Sequence, residues 1–237
     1  MFEARNIAFS YSGRPVLRDV SFVVSPGETV CVLGENGAGK TTLLRVLATL
    51  AVPDSGQVLS EGQDAFTHPL KYRSQLGYLP ERVALYDDMT IKEYLTYRAN
   101  LKGEPPKRIR RRIGEACEIC RLPDTMLRTL IGDLSAGQRK RVALADALLL
   151  RPRVLLLDDL LSGLDRSLRA ASGDIMSNAA AFSAVVVTGH EVEDIAPWAT
   201  RFLVLRGGVI AASISVAGLA LDELRERVDA ALAGGVA

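Results

Sequence analysis

A chain of 237 residues, 48% of them hydrophobic, is long enough to bury a sizeable core and to hold one large domain or a domain with a subdomain. Its 29 lysines and arginines against 28 aspartates and glutamates leave a formal net charge of +1, so no global field draws it to nucleic acid or anionic lipid. Three cysteines are too few for a disulfide framework, no apolar run reaches the roughly 18 residues of a membrane span, and the opening "MFEARN" predicts no secretory signal.

In chain order, Ile7, Phe9 and Tyr11 alternate onto one face of an expected strand, and "SGRP" turns it back. "VLRDVSFVVSPGETVCVLG" supplies further strand material around a Pro-Gly turn. "TVCVLG" is apolar on both faces until Gly34, after which Leu43, Leu44, Leu47 and Leu50 recur at helical spacing. "PDSGQVLSEGQ" reads as a short strand between glycine turns, and "LGYLPE" as a buried strand ending at Pro80.

From about Asp88 to Leu150 the pattern turns helical. "TIKEYLTYRANLKG" opens at a threonine cap and stops at Gly103, and "PKRIRRRIGEACEICRL" follows a Pro-Pro break. The basic cluster Lys107, Arg108, Arg110, Arg111 and Arg112 has no interleaved aromatics and reads as a solvated helix face. Cys117 and Cys120 have no second cysteine pair or histidine cluster nearby and read as packing residues. Strand pattern then returns in "VLLLDD" and "SAVVVTGHE", "RFLVLRGGVIAA" reads as a hairpin, and Leu221 to Leu232 as a closing helix.

"GENGAGKTT", Gly34 to Thr42, fits G-x-x-x-x-G-K-[ST] and stands between the strand and the helix that this pattern requires. Its glycines let successive N–H groups turn toward phosphate oxygens, Lys40 can reach the β and γ phosphates, and Thr41 can offer its hydroxyl to Mg²⁺. The helix from Thr41 adds its positive dipole end. Asn36, Gly37, Ala38, Gly39 and Thr42 complete the expected cradle for a nucleotide's phosphates. Four unbroken aliphatics, Val154 to Leu157, read as a strand buried on both faces, so Asp158 and Asp159 stand where it leaves the sheet. In open α/β sheets that is the ligand-binding edge. Asp158 there suits a second Mg²⁺ contact; by themselves the two acids would equally suit a polar turn.

These residues, together with "LSAGQRKRVALADAL" (Leu134 to Leu148), "LLLDDLLSGLD" and His190, resemble in order and spacing the ATP-binding cassette family. The middle stretch "LGYLPERVALYDDMTIKEYL" is similar to single-cassette ATPase subunits of bacterial exporters. The resemblance spans nearly the whole chain. It implies an α/β fold: a P-loop NTPase, RecA-like core over about 1–87 and 151–215 with an antiparallel β subdomain, an inserted α-helical signature subdomain over about 88–150, and a C-terminal helix over about 217–233. It further implies a separate transmembrane permease docking beside Glu81 to Tyr94, and a second ATP-binding subunit, so that two ATPs lie between paired cassettes at the cytoplasmic face of the membrane.

Residue by residue, the resemblance implies that Tyr11 stacks on adenine. Ser135, Ala136, Gly137 and Gln138 would close over the partner's γ-phosphate, His190 would contact the γ-phosphate, and Asp165 would link the two sites. Lys40, Glu81, Asp159 and His190 become the expected catalytic residues, and Thr41, Asp158 and Glu81 the expected Mg²⁺ contacts. Several positions depart from the family pattern: Asp159 stands where glutamate is usual, Glu81 for glutamine, Ala136 for glycine, Leu160 and Leu161 for Pro-Thr, and Asp146 for arginine. The departures leave two expectations open: an ATPase that drives export, slowed by its shorter acid, or a weakly hydrolysing regulatory half of a heterodimer.

Overall fold

A computed structural model describes residues 1–164 and 166–234, apart from the side chains of 166–168. β1 (Phe2–Tyr11) and β2 (Arg14–Val24) pair antiparallel across Ser12 and Gly13, whose φ values of 49° and 78° fit a two-residue hairpin turn. After Pro26-Gly27 comes β3 (Thr29–Leu33), buried throughout, then α1 (Lys40–Leu47). Leu43, Leu44 and Leu47 bury one face of α1, but Leu50 does not extend it. Thr49 takes a left-handed φ of 57°, the helix ends, and Leu50 is exposed.

β4 (Ser55–Ser60), β5 (Gln63–Asp64), α2 (Pro69–Ser74) and β6 (Leu76–Leu79) follow. The "LGYL" strand is an edge strand whose residues alternate between half-buried and buried, a correction to the fully buried strand expected of it. The helical stretch comprises α3 (Ile91–Leu101), α4 (Pro106–Ile119) and α5 (Ala136–Leu148). β7 (Val154–Leu157), α6 (Arg166–Ala180), β8 (Ala184–Thr188), α7 (Val192–Ile195), β9 (Arg201–Arg206), β10 (Val209–Ser215) and α8 (Leu221–Ala233) complete the chain.

Two sheets result. The antiparallel sheet runs β2-β1-β4-β5, and the larger one β10-β9-β3-β8-β7-β6, parallel throughout except for the β9–β10 hairpin. Period-two alternation splits the large sheet's residues between two cores. Val30, Val32, Leu156, Val186, Leu203 and Leu205 pack with α1 and the antiparallel sheet. Cys31, Leu33, Leu155, Leu157, Val185 and Val187 pack with the helical stretch, α6 and α8. Because β3, β7, β8 and β6 are parallel neighbours, the loops leaving their carboxyl ends all open at one edge.

Thr90 caps α3 through a reciprocal capping box with Glu93, and Gly103 follows the helix end at φ 78°. Ile109, Ile113, Ala116 and Cys117 bury one face of α4 while Lys107, Arg108, Arg110 and Arg111 are exposed on the other, the arrangement of a solvated basic face. Cys117 and Cys120 are buried free thiols whose pKa values burial raises, Cys117 to about 11. Asp146 is no part of the ligand edge. It lies buried on α5 facing α3, accepting from Arg98 Nε at 2.9 Å, Lys102 Nζ at 3.2 Å and the Tyr94 hydroxyl at 3.2 Å.

Candidate nucleotide site

The loop after β3 wraps around its own lysine. Lys40 Nζ donates to the carbonyl of Gly34 at 2.6 Å and of Glu35 at 3.1 Å, inside the ring of residues it closes. Burial pushes the Lys40 pKa down, and Asp159, Asp158 and Cys31 push it back up. Gly39 caps α1 in a left-handed conformation, φ 106°, where a Cβ would also meet Leu17 and Val16 at 3.1 to 3.3 Å. No side chain caps this helix, so its first N–H groups are left for a ligand. A Cβ on Gly34 would lie 2.4 Å from the Leu205 carbonyl, so the loop can leave β3 this close to β9 only without a side chain.

Beside the loop, Asp158 is 2% exposed at the end of β7. Its Oδ1 accepts from the Thr188 hydroxyl at 2.8 Å and the Thr41 hydroxyl at 3.3 Å, while its Oδ2 is buried without a hydrogen-bond partner. Burial raises the Asp158 pKa, the two hydroxyl bonds lower it, and Glu81 and Asp159 raise it further. Among the described residues no group of three acids, histidines or cysteines could hold a cation alone. One carboxylate with an idle oxygen and one hydroxyl are what Mg²⁺ takes from a protein when phosphate oxygens and water fill its other positions. The residues present therefore fit the ion.

Asp159 is half-buried, with a left-handed φ of 49°. Its N–H donates to Thr188 Oγ1 at 2.8 Å and its carbonyl accepts from Lys140 Nζ at 2.6 Å. Asp158, Asp159, Glu81, His190, Lys40 and Thr41 line one cavity of about 450 Å³, together with Tyr11, Asn36, Gly37, Gly39 and Thr42. Gly34 and Ala38 belong to the loop without lining this cavity. Tyr11 is 45% exposed, and its ring meets Phe9 edge-on at 4.8 Å. Tyr11 thus carries the Phe9 face out of the core and into the cavity, which reconciles a place on the strand's apolar face with a place beside a ligand.

Ser135 to Gln138 stand apart from this cavity. Ser135 caps α5, accepting from the Gln138 N–H at 3.3 Å, while Gln138 Oε1 accepts the Ser135 N–H at 2.9 Å. Ala136 begins α5 and is not among the residues with positive φ, so its methyl group introduces no left-handed strain. Asp165 lies outside the described residues. Asp87, beside the expected permease surface, pairs with Arg139 at 2.7 Å. Sequence reasoning missed Thr188, which ties Asp158 to Asp159, and Lys140, which holds the loop beyond them. The signal for Thr188 was a hydroxyl ending a buried strand just before Gly189 and His190.

A parallel sheet with a glycine loop closed on a lysine at its carboxyl edge, beside a magnesium-competent aspartate, defines a phosphate-loop nucleotide-binding protein. The family model described as "ABC transporter" matches residues 17–162. Over 218 residues the chain is 36% identical to a sulfate/thiosulfate import ATP-binding protein, CysA, of Methylococcus capsulatus, covering 88% of this chain and 61% of that one. Among solved structures, it superposes at TM-score 0.86 and 28% identity on an ATP-binding subunit of an ABC transporter, covering 97% and 99% of the two chains. A bacterial Atm1-family ABC exporter with ATP bound matches at TM-score 0.80 and 29% identity, over 95% of this chain and 40% of that one. The chain belongs to the ABC transporter family and is an ATP-binding domain of it. It spans less than two thirds of the length of the CysA relative.

Proposed function

We propose that this chain binds Mg-ATP in the described cavity, hydrolyses it, and thereby powers transport through a separate transmembrane permease. The observation that carries the reading is the convergence of Lys40, Thr41, Asp158 and Asp159 on one cavity at the sheet's carboxyl edge. Lys40 and the loop N–H groups would hold the β and γ phosphates and stabilise transferring charge. Thr41 and Asp158, with Glu81 nearby, would hold Mg²⁺, which when bound supplies charge neutralisation at the phosphates. Asp159 would orient the attacking water, His190 would hold the γ-phosphate and Tyr11 would stack on the base. Water attacks the γ-phosphorus, the bond from that phosphorus to the oxygen it shares with the β-phosphate breaks, and ADP and phosphate leave as a proton of the attacking water passes to solvent.

The signature residues Ser135 to Gln138 lie off this cavity, which suits contact with ATP held by a second cassette, homologous or identical; Asp165 would join the two sites. The division into a core over about 1–87 and 151–215, a helical subdomain over about 88–150 and a C-terminal helix over about 217–233 follows the resemblance. Among the described residues no helix is long and apolar enough to cross a membrane, consistent with attachment at the cytoplasmic face through the permease beside Glu81 to Tyr94. Export is our reading of direction, from the resemblance of the middle stretch and the likeness to an exporter. The second reading, import, is favoured by the CysA relative's name.

Calorimetry with Mg-ATP and steady-state phosphate release test the core of this proposal. Lys40→Ala removes one cation from two phosphates. Charged hydrogen bonds contribute about 1.5–3 kcal/mol each, so affinity should fall on the order of 10²-fold or more. Unchanged affinity would remove the phosphate-loop assignment. Vesicles carrying the co-purified permease, scored for ATP-driven loss or gain of cargo, decide direction.

A further inference from the structure

The loop from Asp159 to Ser162 is closed by a single ammonium group from another part of the chain. Lys140, buried on α5, donates to the Asp159 carbonyl at 2.6 Å and also to the Ser162 carbonyl. On the opposite side the Asp159 N–H is held by Thr188 at the end of β8. Asp159 is therefore anchored at both of its backbone polar groups, by two elements far apart in sequence. Between those anchors φ is 49°, a left-handed backbone that costs a side-chain-bearing residue energy and needs its surroundings to hold it. Leu160 and Leu161 turn into the core just beyond, so the loop cannot swing without pulling apolar side chains into water.

We propose that Lys140 is the positioning residue for Asp159: by gathering the carbonyls of Asp159 and Ser162 it maintains the left-handed turn from which the Asp159 carboxylate reaches the cavity. The inference rests on the reading of Asp159 as the water-orienting acid. Lys140 lies five residues beyond Ser135 on one continuous helix, about 7.5 Å along its axis at 1.5 Å per residue. A displacement of the first turn of α5, the segment expected to meet the second nucleotide, is carried by a rigid element to the carbonyl of Asp159. A lysine suits the task because its flexible stem brings three donors to carbonyls of differing direction.

The test is a double-substitution cycle in the natural chain and in Asp159→Asn, reading kcat and KM from phosphate release and the thermal midpoint alongside. Lys140→Met keeps the stem and removes the donors. Displacing the acid by about 1 Å costs on the order of 10²-fold, so kcat should fall by about that factor in the natural background, with KM for Mg-ATP unchanged. In the Asp159→Asn background the same substitution should lower kcat little further, because the group it positions is already gone. Lys140→Arg, which retains charged donors, should recover most of the turnover. An equal fold-loss in both backgrounds, a KM rise in place of a kcat fall, or unchanged kcat would overturn the proposal. If Lys140→Met does not fold, Lys140→Gln in the same cycle decides by the same criteria. Turnover in Asp159→Asn equal to the natural chain's would instead remove the acid's assignment, and with it the basis for Lys140.

Discussion

Replacing Asp159 with glutamate lengthens the acid by one methylene on a backbone that is held from both sides. The N–H sits 2.8 Å from Thr188 Oγ1 and the carbonyl 2.6 Å from Lys140 Nζ, so the side chain, and not the main chain, takes up the added bond of about 1.5 Å. A cavity of about 450 Å³ has room for it. Two effects then compete. A glutamate tolerates the 49° φ less well than an aspartate, at a cost within about 1–2 kcal/mol, but this strain acts alike on the ground and transition states and lowers the unfolding free energy without slowing turnover. Reach acts on the transition state alone, and positional errors of about 1 Å cost on the order of 10²-fold. Asp159→Glu should therefore raise kcat by about 10 to 10²-fold, leave ATP affinity unchanged and lower the unfolding midpoint slightly. Asp159→Asn keeps the shape and the backbone preference and should lower kcat by about 10 to 10³-fold, what is left of the about 10² to 10⁴-fold contribution of a positioned base after the loss of reach. The assay is steady-state phosphate release at saturating Mg-ATP. A glutamate variant no faster than the natural chain, with ATP affinity intact, would refute the argument that reach limits this site.

Asp158→Asn should raise the thermal midpoint of the magnesium-free chain at neutral pH while abolishing magnesium-dependent ATP binding. Burial lifts the folded-state pKa of Asp158 above its unfolded value near 3.8, so the folded chain binds the extra proton and stability falls as pH rises through that window; the neutral amide removes the penalty. Stabilisation also in the presence of Mg-ATP would contradict a magnesium contact. Asp146→Ala leaves Arg98 and Lys102 facing each other without their acid; breaking such a pair costs about 3–5 kcal/mol, here toward the low end because the Arg98 side chain stays 35% exposed. Urea denaturation measures it, and a loss below about 1 kcal/mol would mean that water compensates both cations.

Features that depend on a residue's own backbone and its near neighbours could be read along the chain. "GENGAGKTT" had to be a cradle before a helix because its glycines supply the positive φ values at 37 and 39, and Val154 to Leu157 had to be an interior strand because nothing polar interrupts it. The cap at Thr90 was equally local. Which strand ends lie side by side, in contrast, emerged only on folding. β7 and β8 are neighbours although α6 separates them in the chain, and only that pairing brings Thr188 between Asp158 and Asp159. The short helix α2, packed through Tyr72 onto the Leu47 carbonyl, was illegible because one buried side chain in six residues makes no periodicity. Asp146 read only as a departure from the family's arginine until Arg98 and Lys102, more than forty residues earlier, came into place around it. Lys140 was the least visible of all. Its partners are backbone carbonyls, which every residue carries, so no pattern of side chains along the chain could have marked them; only the folded path of the loop turns two of them toward one ammonium.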